Sequence, residues 1–193
     1  MKTVKSQFKF KGGIHPDYNK ELARAKQIEQ MPCPAELVIS MSQHLGAPAK
    51  CLVKPGDYVM KGQLIGEKNG FISVPVYASA NGLVKAVEPR LGAAGGKAPA
   101  VILDTTAAPN SVNDGQSISE SGESGEKKEI TLKPLDWKTA TKEELLARVN
   151  EAGICGMGGA GFPTCVKLNP PPGKQCEYLI LNGAECEPYL TAD

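Results

Sequence analysis

No two cysteines in this 193-residue sequence form a C-x-x-C pair. The six, Cys33, Cys51, Cys155, Cys165, Cys176 and Cys186, are scattered along the chain. That spacing excludes the close pairs of structural zinc and the C-x-x-C-x-x-C run of ferredoxin-type clusters. Residues 1–11 are rich in lysine and lack the apolar core of a signal peptide, so the cysteines are read as thiols rather than disulfides. Cys33, Cys51 and Cys176 are read as buried or incidental. Cys155, Cys165 and Cys186 lie in or beside the motifs described below. The two histidines, His15 and His44, have no second ligand at useful spacing and are read as turn residues. Aromatic residues are 5% of the chain, with Trp137 the sole tryptophan. No apolar run reaches the length that spans a bilayer, so any membrane association runs through partners or a surface patch. A net charge of +1 gives no argument for nucleic acid.

The chain does have 21 glycines, 15 prolines and a hydrophobic content of 41%, enough for a core cut by many turns. Residues 1–35 read as an N-terminal arm. Its basic start either pairs as an edge strand or stays solvated and mobile. Residues 21–30 form a short helix or an irregular stretch, ended by Pro32 and Pro34. From Glu36 the pattern turns to short strands. Expected strands are Leu37–Ile39, Val59–Ile65 broken at Lys61-Gly62, Phe71–Val74, Leu83–Val87 and Ala100–Leu103. Lys54-Pro55-Gly56-Asp57 is a strong turn signal. Glu67-Lys68-Asn69-Gly70 reads as a hairpin with a type I′ turn.

Residues 36–104 therefore predict a small β sandwich or barrel. Pro55-Gly56-Asp57-x-Val59-x-x-Gly62-Gln63-x-Ile65, with Ala78-x-x-x-Gly82-x-Val84, resembles the biotinyl and lipoyl carriers, which have the barrel-sandwich hybrid fold. Lys68 sits where a carrier lysine would be. Its neighbours, Glu67 and Asn69-Gly70, do not match the carrier context, so it is read as an unmodified, solvated lysine. Residues 105–129 shift to Ser, Gly, Asn, Asp and Glu, a composition that cannot order itself by burial, and read as a flexible linker or exposed excursion.

The most informative stretch follows. Thr141-Lys142-Glu143-Glu144 is a capping-box signature, with Leu145, Leu146, Val149 and Ala152 at helical spacing after it. Trp137, just before this helix, is read as a packing anchor. Gly153 suits the left-handed residue that ends a helix. Five glycines then fall within residues 153–161. Gly156-x-Gly158-x-x-Gly161 matches a dinucleotide fingerprint in the wrong setting, because a helix precedes it and Pro163 follows. Tyr178-Leu179-Ile180-Leu181 reads as a short buried strand.

Gly156-Met157-Gly158-Gly159-Ala160-Gly161-Phe162-Pro163-Thr164, with Lys167, resembles the flavin and NADH loop of the flavoprotein subunit of respiratory complex I. Asn182-Gly183-Ala184-Glu185-Cys186-Glu187-Pro188-Tyr189 resembles its second flavin motif. Phe10-Lys11-Gly12-Gly13-Ile14-His15-Pro16 is similar to the N-terminus of the RnfC family, and the order of parts agrees. The resemblance runs from about Phe8 to Asp193, apart from the linker. It implies an α+β multi-module chain: a barrel-sandwich hybrid without a carrier lysine, then, in residues 130–193, the start of an α/β domain for FMN and NADH.

By that resemblance Gly156, Gly158 and Lys167 contact FMN, with Gly159 and Gly161 in the same loop. Asn182 and Glu185 lie along the flavin edge, and Phe162 and Glu187 face NAD(H). The chemistry is consistent. Glycines admit a ring or phosphate close to the backbone. Lys167 brings positive charge either to the phosphate or to the reduced flavin near N1. Ala184 departs from the pattern, since an acidic residue is expected there. The family implies hydride exchange between NAD(H) and flavin, and electron transfer to 4Fe-4S clusters carried in a further C-terminal part. The chain is therefore read as the N-terminal portion of such a protein. The complex couples ferredoxin–NAD electron transfer to ion movement, and the other Rnf subunits are the implied partners at the cytoplasmic face of the membrane. Two alternatives stay open: a cobalamin-reducing flavoprotein of the same superfamily, and a non-catalytic lipoyl-like docking module.

Overall fold

A computed structural model of the chain describes residues 16–92, 95–107, 132–157, 159–174, 176–178, 180, 183, 185 and 187–191. His15, the basic start and nearly all of the 105–129 segment lie outside the described residues. The chain divides into two compact units, Pro32–Gln175, and Met1–Met31 with Cys176–Asp193.

The larger unit is built on seven strands: β1 (Glu36–Ser40), β2 (Lys50–Cys51), β3 (Tyr58–Val59), β4 (Leu64–Glu67), β5 (Val76–Tyr77), β6 (Gly82–Leu91) and β7 (Lys97–Asp104). They form a four-stranded sheet in the order β1-β7-β6-β3 and a three-stranded sheet in the order β2-β4-β5. All pairings are antiparallel. Glu36 pairs with Asp104 and Ser40 with Ala100, so β1 runs the length of the buried half of β7. Ala100 to Leu103 are all buried, which places this part of β7 under cover on both faces.

Met41, Val59, Ile65, Val76, Val84, Val101 and Leu103 form the core. Each fully buried aliphatic side chain of this kind contributes about 1.5–3 kcal/mol. Two matched crossovers tie the barrel. Val84 N–H donates to the Asp57 carbonyl and Gly56 N–H to the Val84 carbonyl, both at 2.8 Å. Ala78 N–H donates to the Gln63 carbonyl at 2.9 Å and Gly62 N–H to the Ala78 carbonyl at 2.8 Å. The two turns that carry the carrier-like phrase therefore make the same pair of bonds. The Pro55-Gly56 turn is closed by Asp57, whose carboxylate accepts from the Lys54 amide at 2.9 Å and the Lys54 ammonium at 2.8 Å.

Three expectations are corrected here. Residues 67–70 do not make a type I′ turn, because Gly70 has positive φ and Asn69 does not. Phe71–Val74 is a loop. Its shape is set by the buried Ser73, whose hydroxyl accepts from the Asn69 amide at 3.0 Å and also meets the Ala47 carbonyl and His44 Nε2. Those side-chain bonds replace a strand ladder. Trp137 is not a packing anchor, since it is 70% exposed with the Lys138 ammonium over its ring.

Helix α1 (Lys142–Glu151) forms where the capping box predicts it. Glu144 N–H donates to Thr141 Oγ1 at 3.2 Å, and Thr141 N–H to Glu144 Oε2 at 2.8 Å. The Thr141 bonds hold the Glu144 carboxyl below the usual carboxylate range. Gly153 takes the left-handed conformation after it, with φ +67. A second short helix, α2 (Thr164–Lys167), was not expected.

In the smaller unit, Tyr178 and Ile180 are 84% and 88% exposed and neither is in a strand. The expected buried strand at 178–181 is absent at these described positions. An extended segment needs a neighbour to complete its ladder, and among the described residues neither sheet includes Tyr178 or Ile180.

Candidate functional site

The glycine stretch is a small hairpin between α1 and α2. Cys155 and Pro163 form an antiparallel bridge. Gly156 N–H donates to the Phe162 carbonyl at 2.9 Å, and Thr164 N–H to the Ile154 carbonyl at 3.0 Å. Pro163 is fully buried and caps α2, while Met157 and Gly159 at the tip are exposed.

The hairpin is fastened to the β module at three places. Leu45 N–H donates to the Gly161 carbonyl at 2.9 Å. Gly161 has φ +68, and a Cβ there would stand 3.0 Å from the Gln43 carbonyl oxygen and 3.0 Å from His44 Cα. At the end of α1, a Cβ on Gly153 would stand 2.6 Å from the Pro75 carbonyl oxygen. The Tyr77 hydroxyl donates to the Glu151 carbonyl, and burial, helped by the Glu151 carboxylate, pushes that hydroxyl's pKa up. The hydroxyl thus keeps the proton it donates. His44 supports the seam from below. It is buried, its Nδ1 donates to the Leu45 carbonyl at 3.1 Å, and its Nε2 meets Ser73 Oγ at 3.3 Å. Sequence reasoning read His44 only as a turn residue, because its contact with Ser73 joins residues 29 positions apart.

Of the residues assigned to nucleotides, Gly156, Gly159, Gly161, Phe162 and Lys167 share this hairpin and its following helix. Lys167 lies over the bare face of Gly156, where a Cβ would stand 3.3 Å from its Nζ. Among the described residues, no carboxylate pairs with Lys167. Glycine backbone beside an unpaired ammonium makes a cradle that a side chain would fill, and that cradle fits a phosphate or the anionic edge of a flavin. Gly159 has open space where its Cβ would be. Gly158, Asn182 and Ala184 lie outside the described residues.

Glu185 and Glu187 belong to the smaller unit. Glu187 is exposed. Glu185 is largely buried and accepts from the Lys20 ammonium at 3.0 Å, a partner that the sequence reading missed.

Lys68 lies in the connection between β4 and β5. Its ammonium donates to Asn150 Oδ1 of α1 at 3.2 Å, at the edge of a shallow cleft of about 240 Å³ also lined by Phe71, Leu146 and Cys165. Cys165 faces that cleft, with its thiol 3.4 Å from Asn150 Oδ1. Cys33 and Cys176 are exposed free thiols rather than buried ones. Among the described residues there is no cluster of side chains that could hold a metal ion, and no helix long and apolar enough to cross a membrane.

Residues 8–108 match the RnfC barrel sandwich hybrid domain, and residues 149–193 match the Nuo51 FMN-binding domain. The chain is 42% identical over 184 residues to the C subunit of the proton-translocating ferredoxin:NAD(+) oxidoreductase complex of Clostridium ljungdahlii, covering 95% of this chain and 37% of that protein. It is 45% identical over 184 residues to the C subunit of the Na(+)-translocating ferredoxin:NAD(+) oxidoreductase complex of Acetobacterium woodii, covering 95% of this chain and 38% of that protein. It is 38% identical over 184 residues to the C subunit of the ion-translocating oxidoreductase complex of Vibrio cholerae, covering 95% of this chain and 22% of that protein. The chain thus spans well under half the length of these relatives.

Proposed function

The chain belongs to the RnfC family, and from that premise we propose that the full protein is the NADH-binding flavoprotein subunit of a membrane-bound ferredoxin:NAD oxidoreductase. It works in complex with the other Rnf subunits, peripherally at the cytoplasmic face, and its electron transfer is coupled to ion translocation. Bound FMN would take up a hydride from NADH and release its electrons singly to 4Fe-4S clusters elsewhere in the full protein.

The observation that carries this reading is the cradle of Gly156 and Lys167. Gly156 puts no side chain between its backbone and the Lys167 ammonium, so a planar or phosphate group that displaces the flexible Lys167 tip can approach the backbone. Lys167, which pairs with no carboxylate among the described residues, supplies positive charge there, either to the phosphate or to the reduced ring near N1. Phe162 offers a flat face for the nicotinamide nucleotide, and Glu187 can accept from ribose hydroxyls or an amide. Gly158, Gly159 and Gly161 in the same loop, with Asn182 and Glu185 along the flavin edge, complete the assignment. The β module holds the hairpin still through Leu45, so the loop's few contacts need not order it at the moment of binding.

The test is Lys167→Met in a chain of full family length. FMN retained after desalting should fall about tenfold or more, the scale of one charge-assisted hydrogen bond. Retention at the wild-type level, with the fold intact by circular dichroism, removes Lys167 from the site.

A further inference from the structure

We infer that Lys20, in the N-terminal arm, is a positioning residue for the second nucleotide motif, and that the arm is a working part of the redox half of the protein. Lys20 opens a single 3-10 turn, Lys20–Leu22. Its ammonium donates to Glu185 Oε1 at 3.0 Å and to the Leu190 carbonyl at 2.7 Å. The two side chains are 22% and 14% exposed, so this is not a solvated surface pair. One residue thus holds both the carboxylate of the motif and the backbone five positions on.

A second contact works beside it. Tyr189 N–H donates to the Tyr18 carbonyl at 2.8 Å. Asn19 and Tyr189, which flank these bonds, both have positive φ, at 50 and 68. That backbone is uncommon for a tyrosine and persists only where its surroundings fix it. The clasp between residues 18–20 and 185–190 supplies that fixing.

The inference rests on the reading that Glu185 lies along the flavin edge. The negative charge of a carboxylate there would oppose the negative charge that grows on a flavin as it is reduced. Paired with Lys20, Glu185 keeps its acceptor atoms while its net charge is offset. Lys20 therefore fixes where Glu185 stands and offsets the charge it presents.

The experiment uses the full-length subunit with Lys20→Met, Lys20→Arg, Glu185→Gln and the double variant Lys20→Met/Glu185→Gln. In flavin-free protein, Lys20→Met should speed hydrogen exchange of the amides in 185–190 by about tenfold or more, because the clasp has opened. In flavin-loaded protein it should move the flavin midpoint potential to more negative values. Lys20→Arg should restore both readouts. The double variant should recover the potential but not the protection, since it removes the stray charge without rebuilding the clasp. If Lys20→Met changes neither readout while Glu185→Gln does shift the potential, Lys20 is not a positioning residue and the inference falls. If Glu185→Gln leaves the potential and flavin retention unchanged, the flavin-edge reading of Glu185 falls and takes the inference with it.

Discussion

The Leu45 amide donates to the Gly161 carbonyl at 2.9 Å, and this bond joins the barrel to the glycine hairpin. The Leu45 peptide is held from its other side by His44 Nδ1, which donates to its carbonyl. A loop rich in glycine pays heavily in entropy to hold one shape. Here that shape is set from outside, by a buried turn of a β module that has no nucleotide motif of its own. The β module is thus a brace for the loop as well as a separate fold.

Gly161→Ala should destabilise the protein by about 1–3 kcal/mol, because its φ is positive and a Cβ would press on the Gln43–His44 backbone. Gly159→Ala should leave stability unchanged, since the space around it is open. In a flavin-binding chain Gly159→Ala should still lower flavin retention. Denaturant titration with flavin absorbance separates the two effects. Equal stability of both variants would contradict the seam.

Gly158→Val in a chain of full family length should abolish flavin binding and NADH-dependent reduction of an artificial acceptor, because a β-branched side chain fills space assigned to the ring or phosphate. Lys68→Ala should leave both intact, and the intact mass should show no adduct on Lys68. Stoichiometric flavin and full turnover in Gly158→Val would sink the loop assignment.

Asp57 gives a pH prediction. Burial pushes its carboxyl up, but the Lys54 ammonium and backbone amide outweigh this and leave its pKa lowered. A carboxyl lowered in the folded state stabilises at pH values above its unfolded pKa of about 3.9, and that stability is lost as pH falls through the folded value. Asp57→Asn should therefore lower stability at pH 7 by about 1 kcal/mol at most, given solvent screening, and the gap should close in acid below pH ~4. Thermal melts from pH 7 to 3 check this. A gap that widens in acid would refute the ion-pair origin.

Thr141→Ala should cost about 1 kcal/mol by removing the cap of α1. Thr141→Ser should recover most of it. Because α1 leads directly into Gly153 and the hairpin, amide exchange in α1 should rise in the alanine variant and not in the serine one.

Much of the fold was legible in local pattern. The strands at 36–40, 58–59, 64–67, 82–91 and 97–104 follow short apolar runs and turn residues, and the capping box at Thr141 sets α1. Several of the failures share one cause. Ser73 and the 71–74 loop depend on His44 and Ala47, which are distant in sequence. Tyr178 and Ile180 have a strand's composition but, among the described residues, no strand beside them. Lys20 meets Glu185 across nearly the whole chain, and no periodicity points to such a pair. Of the candidate site, the glycine hairpin was legible as a motif. What fastens it was not, because Leu45 and His44 look like ordinary turn residues.

The pairing of β1 with β7 also matters to the protein as it is made. Glu36 to Ser40 emerge early from the ribosome, yet among the described residues their ladder partner is Ala100 to Asp104. Until those residues have been translated, the first strand has nothing native to bind, and Ile39 and its neighbours wait uncovered. The barrel can close only once residue 104 has been made, and the glycine hairpin, translated later, can then meet a surface that needs no part of it to form.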